Sequence, residues 1–140
     1  MGAQGARKVE QPTHRQGLID TDILIDASRG FQPAGEFLET ISRDDALISA
    51  ITAMELITGC RDAAQLASVK EFVASFAVLP LTEQISACAL SLVEGFTLSH
   101  GLLLPDALVA ATALQSNIAL YTRNTRHYRM IPKLLIIQPY

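Results

Sequence analysis

Short apolar runs alternate along this chain with longer stretches in which apolar residues recur every three or four positions. Runs without polar alternation predict strands buried on both faces. Leu18 to Asp20, Ala46 to Ala50, Ala77 to Leu79, Ile118 to Thr122 and Leu134 to Ile137 have this character. The stretches between them predict helices. One runs from about Asp22 to Ser28 and stops at Gly30. After a Pro33-Ala34-Gly35 loop, Phe37, Leu38 and Ile41 place a helix over Glu36 to Arg43. Thr52 to Gly59 predicts another, continuing after a bend at Gly59 through Leu66, Val69, Phe72, Val73 and Phe76. Thr82 is an N-cap candidate for a long helix from Glu83 to about Ser99, which ends near Gly101. Pro105 and Asp106 open the next helix, and Asn117 can end it. Strands that alternate with helices predict an α/β fold. Its central parallel sheet would have four to five strands, with helices on both faces. Ala107, Ala110, Ala111 and Ala113 give one helix a small-residue surface for close approach to that sheet.

Composition adds three constraints. A chain of 140 residues fits one domain. Its 49% hydrophobic content and mean hydropathy of +0.27 exceed what a core alone asks for, which predicts an apolar interface, either a homodimer or a partner groove. No apolar run approaches the ~18–20 residues of a membrane span, so no membrane partner is expected. Cys60 and Cys88 lie in Ala-rich helical segments without ligand spacing, so both read as reduced thiols of a cytoplasmic protein. Residues 1–17 are polar and carry Arg7, Lys8 and Arg15. They read as a disordered or non-native extension ahead of a domain over residues 18–140.

Net charge is −3, which excludes a generic polycationic nucleic-acid binder. The distribution is uneven. Residues 1–106 hold all 14 acids and seven of the 11 Lys and Arg, giving −7, whereas residues 107–140 hold Arg123, Arg126, Arg129 and Lys133 and no acid, giving +4. A basic segment beside an acidic pocket suits a nuclease whose cations hold phosphates and whose carboxylates hold a metal.

Three carboxylates fall where strands meet helices. Asp20 ends the first apolar strand, a costly place for a charge unless a cation or several donors satisfy it. The alternative is a cap for the following helix. Asp22 is an equally good cap or the holder of a metal-bound water, and Asp26 reads as a surface carboxylate. Glu55 completes a Thr52-x-x-Glu55 capping box, which spacing alone favours. Asp106 at a helix start is electrostatically favourable without any metal. His127 lacks a sequence-adjacent carboxylate, and Tyr128 reads as a packing residue.

Four segments carry a resemblance. Leu-Ile-Asp-Thr-Asp-Ile-Leu-Ile-Asp from Leu18, Ile-Thr-Ala-Met-Glu-Leu-Ile-Thr-Gly from Ile51, Leu-Pro-Asp-Ala-Leu-Val-Ala-Ala-Thr-Ala from Leu104 and Tyr-Thr-Arg-Asn-Thr-Arg-His-Tyr from Tyr121 resemble, in order, the PIN-domain ribonucleases, and within them the VapC-type toxins of toxin–antitoxin pairs. The resemblance covers residues 18–140. It implies metal ligation by Asp20, Glu55 and Asp106, which reverses the capping preference at Glu55. Asn124 then stands where many such domains place a fourth acid, which puts a tightly held second metal in doubt. It further implies Mg²⁺ or Mn²⁺ as cofactor and cleavage of a translation-related RNA such as a tRNA or ribosomal RNA. A small VapB-like antitoxin is the implied inhibitor, and a homodimer the implied assembly. Thr122, Arg123 and Arg126 are the expected RNA contacts.

Two rival readings remain. One is a catalytically inactive PIN-like module that binds RNA or protein. The other is a haloacid-dehalogenase-like phosphatase with Asp20 as nucleophile and Asp22 as acid. The second lacks its expected Thr, because Leu24 occupies that position.

Overall fold

A computed structural model describes residues 15–140. Five parallel strands form one sheet: β1 (Gly17–Ile19), β2 (Ala46–Ser49), β3 (Ala77–Leu79), β4 (Ala119–Tyr121) and β5 (Ile136–Ile137), in the order β3-β2-β1-β4-β5. Six helices connect and cover them: α1 (Thr21–Ser28), α2 (Gln32–Thr40), α3 (Ala50–Thr58), α4 (Ala63–Val73), α5 (Glu83–His100) and α6 (Leu104–Ser116). The expected α/β architecture is present. Among the described residues no helix is long and apolar enough to cross a membrane.

The continuous apolar runs become strands because both faces of the sheet are covered. Leu18 points into a cluster with Leu120, Ile85, Leu92 and the alanines of α6. Its neighbour Ile19 points the other way, with Tyr121, Ile48, Phe37, Ile23 and Leu24. Each such side chain contributes about 1.5–3 kcal/mol when withdrawn from water. Ala107, Ala110, Ala111 and Ala113 are all fully buried, so the small-residue face of α6 does lie against the sheet side of the core.

Local signals place most helix ends. Thr82 accepts the Ile85 N–H at 3.2 Å. Gly101 and Asn117 take the left-handed conformation that ends α5 and α6, at φ 68° and 56°. Three boundaries differ from expectation. Helix α2 begins at Gln32 and ends at Thr40, because Pro33 sits in the first turn, where its missing N–H costs nothing. Helices α3 and α4 are separate, and Asp62 caps the second by accepting the Gln65 N–H at 2.8 Å. Helix α3 starts at Ala50 directly from β2, with Ser49 as its N-cap accepting the Ile51 N–H at 3.2 Å.

The domain boundary also moves. Gly17 belongs to β1, and the Arg15 carbonyl accepts a 2.8 Å hydrogen bond from the Tyr121 hydroxyl. The expected extension otherwise lies in residues 1–14, outside the described residues. Gly17 is required where it stands. A methyl group there would overlap the edge of the Tyr121 ring and approach the Ala119 carbonyl to 3.2 Å. Tyr121 is fully buried and packs on Phe37 with ring centroids 4.9 Å apart, so it has little room to yield. Gly17→Ala is therefore expected to cost about 1–3 kcal/mol by overpacking. Urea denaturation checks this, and an unchanged midpoint would show that the ring relaxes freely.

Candidate active site

The strand order sets the location. The chain walks outward from β1 to β2 and β3, then returns to place β4 on the other flank of β1. Connections therefore diverge between β1 and β4, and the carboxyl ends of those strands leave a crevice where open α/β sheets bind ligands. Asp20 follows β1 and Thr122 follows β4 at this point. The Asp20 N–H donates to the Tyr121 carbonyl at 2.9 Å, extending the β1–β4 pairing to its last residue.

Asp20 is 5% exposed. One carboxylate oxygen accepts the Thr21 N–H at 2.8 Å, and the other accepts the Thr122 hydroxyl at 2.8 Å. It is also the N-cap of α1, so the capping and ligand readings coincide in one residue. Burial, reinforced by the neighbouring negative charge of Asp22, pushes its carboxyl up to about 7. Asp22 is not the cap. It accepts the backbone N–H groups of Ile23 at 2.8 Å and Arg123 at 3.0 Å, which ties α1 to the segment after β4. Burial raises its carboxyl too.

Glu55 reaches the same crevice from α3. With Ser49 as the N-cap, Thr52 is already inside the helix, and no Thr52–Glu55 capping box forms. Instead the Thr21 hydroxyl donates to Glu55 Oε1 at 2.8 Å and lies 2.9 Å from the Thr52 hydroxyl. Thr21 is thus the link between Asp20 and Glu55. Its signal in the sequence was a hydroxyl wedged between two acids at a helix start.

Asp106 arrives in the first turn of α6. His127 Nδ1 lies 3.1 Å from its Oδ2, and the Tyr128 hydroxyl donates to its Oδ1 at 3.2 Å. The same hydroxyl also reaches Asp20. Burial and both carboxylates push the Tyr128 phenol far above its ordinary range, so it stays a donor. Tyr128 packs, as expected, since it is fully buried, and its oxygen additionally bridges Asp20 and Asp106. The carboxylate partner of His127, invisible in the adjacent sequence, comes from another helix.

The expected RNA contacts separate. Thr122 is fully buried, and its hydroxyl donates to Asp20 and accepts the Asn124 N–H at 3.0 Å, so it anchors the carboxylate. Arg123 forms an ion pair with Asp26 at 2.8 Å. Arg126 is exposed and has no ion pair among the described residues. Arg123, Asn124 and Arg126 line a cleft of about 800 Å³ together with Asp106, His127 and Arg129.

Hydroxyl groups bridge the three carboxylates, and among the described residues no three His, Cys, Asp or Glu side chains already close together as a metal cluster. The donor set nevertheless fits a hard divalent cation. It offers only carboxylate oxygen, and its most buried member has no cationic partner among the described residues.

Comparison with known proteins identifies the family. The PIN domain model matches residues 17–131. Ribonuclease VapC10 of Mycobacterium tuberculosis is 37% identical over 119 residues, which span 84% of this chain and 89% of that protein. Ribonuclease VapC19 of the same organism is 33% identical over 120 residues, spanning 84% and 95%. A solved structure described as a toxin-antitoxin complex from Klebsiella pneumoniae is 31% identical with a TM-score of 0.76, covering 89% of this chain and 98% of that one. The chain belongs to the PIN-domain family.

Proposed function

We propose that this chain is a divalent-metal-dependent ribonuclease that acts as the toxin of a toxin–antitoxin pair. The observation that carries the reading is Asp20, a buried carboxylate at the switch point of the sheet, tied through Thr21 to Glu55 and through Tyr128 to Asp106. Asp20 is buried beside the negative charge of Asp22, a burden that a hard cation would relieve. Asp20, Glu55 and Asp106 would hold Mg²⁺ or Mn²⁺. When bound, such an ion lowers the pKa of a water and stabilises charge on a phosphate.

The protein supplies the rest. Thr21 and Thr122 fix the carboxylate oxygens so that little reorganisation is needed. Arg126 and Arg129 in the cleft meet the phosphate backbone, and Asn124 orients a water or a phosphate oxygen beside them. His127, held by Asp106, stands in the same cleft. An open cleft of this kind admits a single-stranded loop more readily than a helix, which suits a tRNA or ribosomal RNA target.

The partners follow from the relatives and from the surface. A VapB-like antitoxin is the proposed inhibitor, covering the active-site groove. Helix α4 has no buried residue, and Met54, Ile57, Leu66 and Val78 are exposed nearby in sequence on α3, α4 and β3. A homodimer or the antitoxin would cover such apolar surface.

The test is digestion of total cellular RNA by the purified, antitoxin-free protein in Mn²⁺, Mg²⁺ or EDTA. Discrete fragments that need metal are the expected result. A folded protein that binds RNA in all three buffers and cuts it in none would favour the inactive binding module.

A further inference from the structure

Arg123 was the natural choice for a phosphate contact, being the first cation after β4 and next to the active site. Its surroundings say otherwise. The guanidinium carbon lies 5.5 Å from the centroid of the Phe31 ring and 5.2 Å from that of Tyr140. The two rings are 5.8 Å apart, so the planar cation contacts both members of an aromatic pair. Its Nη1 donates to Asp26 Oδ2 at 2.8 Å, and the Tyr140 hydroxyl donates to the same oxygen at 2.8 Å. The Arg123 backbone N–H is taken by Asp22 at 3.0 Å. One guanidinium N–H and the backbone N–H are thus committed to carboxylates, although the side chain stays 43% exposed at the edge of the cleft.

These contacts join four parts of the chain: α1 through Asp22 and Asp26, the turn before α2 through Phe31, the segment after β4, and Tyr140 beyond β5. The segment that is gripped matters. Thr122, one residue before, holds Asp20 Oδ2, and Asn124, one residue after, enters the cleft. A lysine would keep the charge but lose both the planar stacking and the forked geometry.

We propose that Arg123 is a positioning residue, held by Phe31, Tyr140 and Asp26, that fixes the Thr122–Asn124 segment against Asp20, while phosphate binding falls to Arg126 and Arg129. The proposal rests on the ribonuclease reading for its kinetic consequence but not for its structural one. A displacement of about 1 Å near reacting atoms can cost up to about a hundredfold in rate. Loss of a phosphate contact instead weakens binding and lowers the salt slope by about 0.7 per contact on single-stranded RNA.

The experiment has two arms. In the first, binding to a single-stranded RNA is measured in EDTA across a salt series, and cleavage is measured in Mn²⁺. Arg123→Ala is expected to lower kcat about tenfold or more, with KM and the salt slope unchanged. Phe31→Leu, which removes no charge, is expected to do the same, and Arg123→Lys is expected not to rescue. Arg126→Ala is expected to lower the salt slope by about 0.7 and to raise KM. In the second arm, amide hydrogen exchange of the RNA-free, metal-free protein is expected to quicken at residues 122–124 in both Arg123→Ala and Phe31→Leu. Unchanged exchange at those residues would overturn the proposal. So would a lowered salt slope with preserved kcat in Arg123→Ala. A wild-type protein that neither binds nor cuts RNA would sink the ribonuclease reading, and the exchange arm would still decide the role of Arg123.

Discussion

Asp20→Asn is expected to abolish RNA cleavage and, in the metal-free protein at pH 8, to raise stability. Both effects come from one fact, that a carboxylate at 5% exposure carries no cationic partner among the described residues. Its carboxyl is pushed up from 3.8 to about 7, first by burial and then by Asp22. The native state therefore holds a proton on Asp20 over a range where the unfolded chain has released it. For a group whose folded pKa is raised, stability is fully present below the unfolded pKa and is lost as pH rises to the folded one. The loss is about 1.4 kcal/mol per pH unit, within a window from about 4 to about 7 set by that shift.

An amide at position 20 removes the charge that must be buried above that window. It keeps an oxygen able to accept from Thr21 or Thr122, though more weakly. The net gain at pH 8 is expected to be about 1–3 kcal/mol, read as a higher urea midpoint. The gain is expected to vanish below about pH 3, where Asp20 is protonated in both the folded and the unfolded state. A variant less stable than the parent at pH 8 would show that the hydrogen bonds of the carboxylate outweigh its desolvation.

Mn²⁺ is expected to stabilise the wild-type protein, and to do so more at pH 8 than at pH 5. A ligand present at a hundred times its Kd stabilises the fold by about 2.7 kcal/mol. Binding here has to displace the proton that Asp20 retains below about 7, so affinity falls as the pH drops through that value. Asp20→Asn and Glu55→Gln are expected to remove most of the effect, measured as a thermal shift across a Mn²⁺ series with Ca²⁺ as the control for general screening. An equal shift at both pH values, or one retained in the two variants, would place the cation elsewhere.

The sheet was legible because its central strands are buried on both faces, whereas the edge strand β3 is apolar yet largely exposed. Leu18 and Ile19 go to opposite clusters yet are both apolar, and the same holds for Leu120 and Tyr121. Helix ends were legible where one residue decides them, as Thr82, Gly101 and Asn117 do. Position 49 shows the limit. Thr52 heads the capping-box pattern, but β2 passes into α3 without a loop, so Ser49 takes the cap. That choice releases Glu55 from a capping box and leaves it to Thr21.

Asp20 and Asp106 were legible as a strand end and a helix start, whereas Glu55 sits in the second turn of α3. The bridging hydroxyls were not legible, because Thr21, Thr122 and Tyr128 acquire those roles only when distant segments meet. Arg123 shows the same limit in reverse. Sequence gives its charge and its place after β4, but not that Phe31, Asp26 and Tyr140 converge on it. His127 gained its carboxylate from the start of α6 in the same way.

The most direct measurement is an anomalous difference map from crystals of the protein soaked in Mn²⁺. A peak is expected in the crevice beyond β1 and β4, within ligand distance of carboxylate oxygens of Asp20, Glu55 and Asp106. A map with no peak there, with the three acids still bridged only by Thr21 and Tyr128, would contradict metal ligation by these residues.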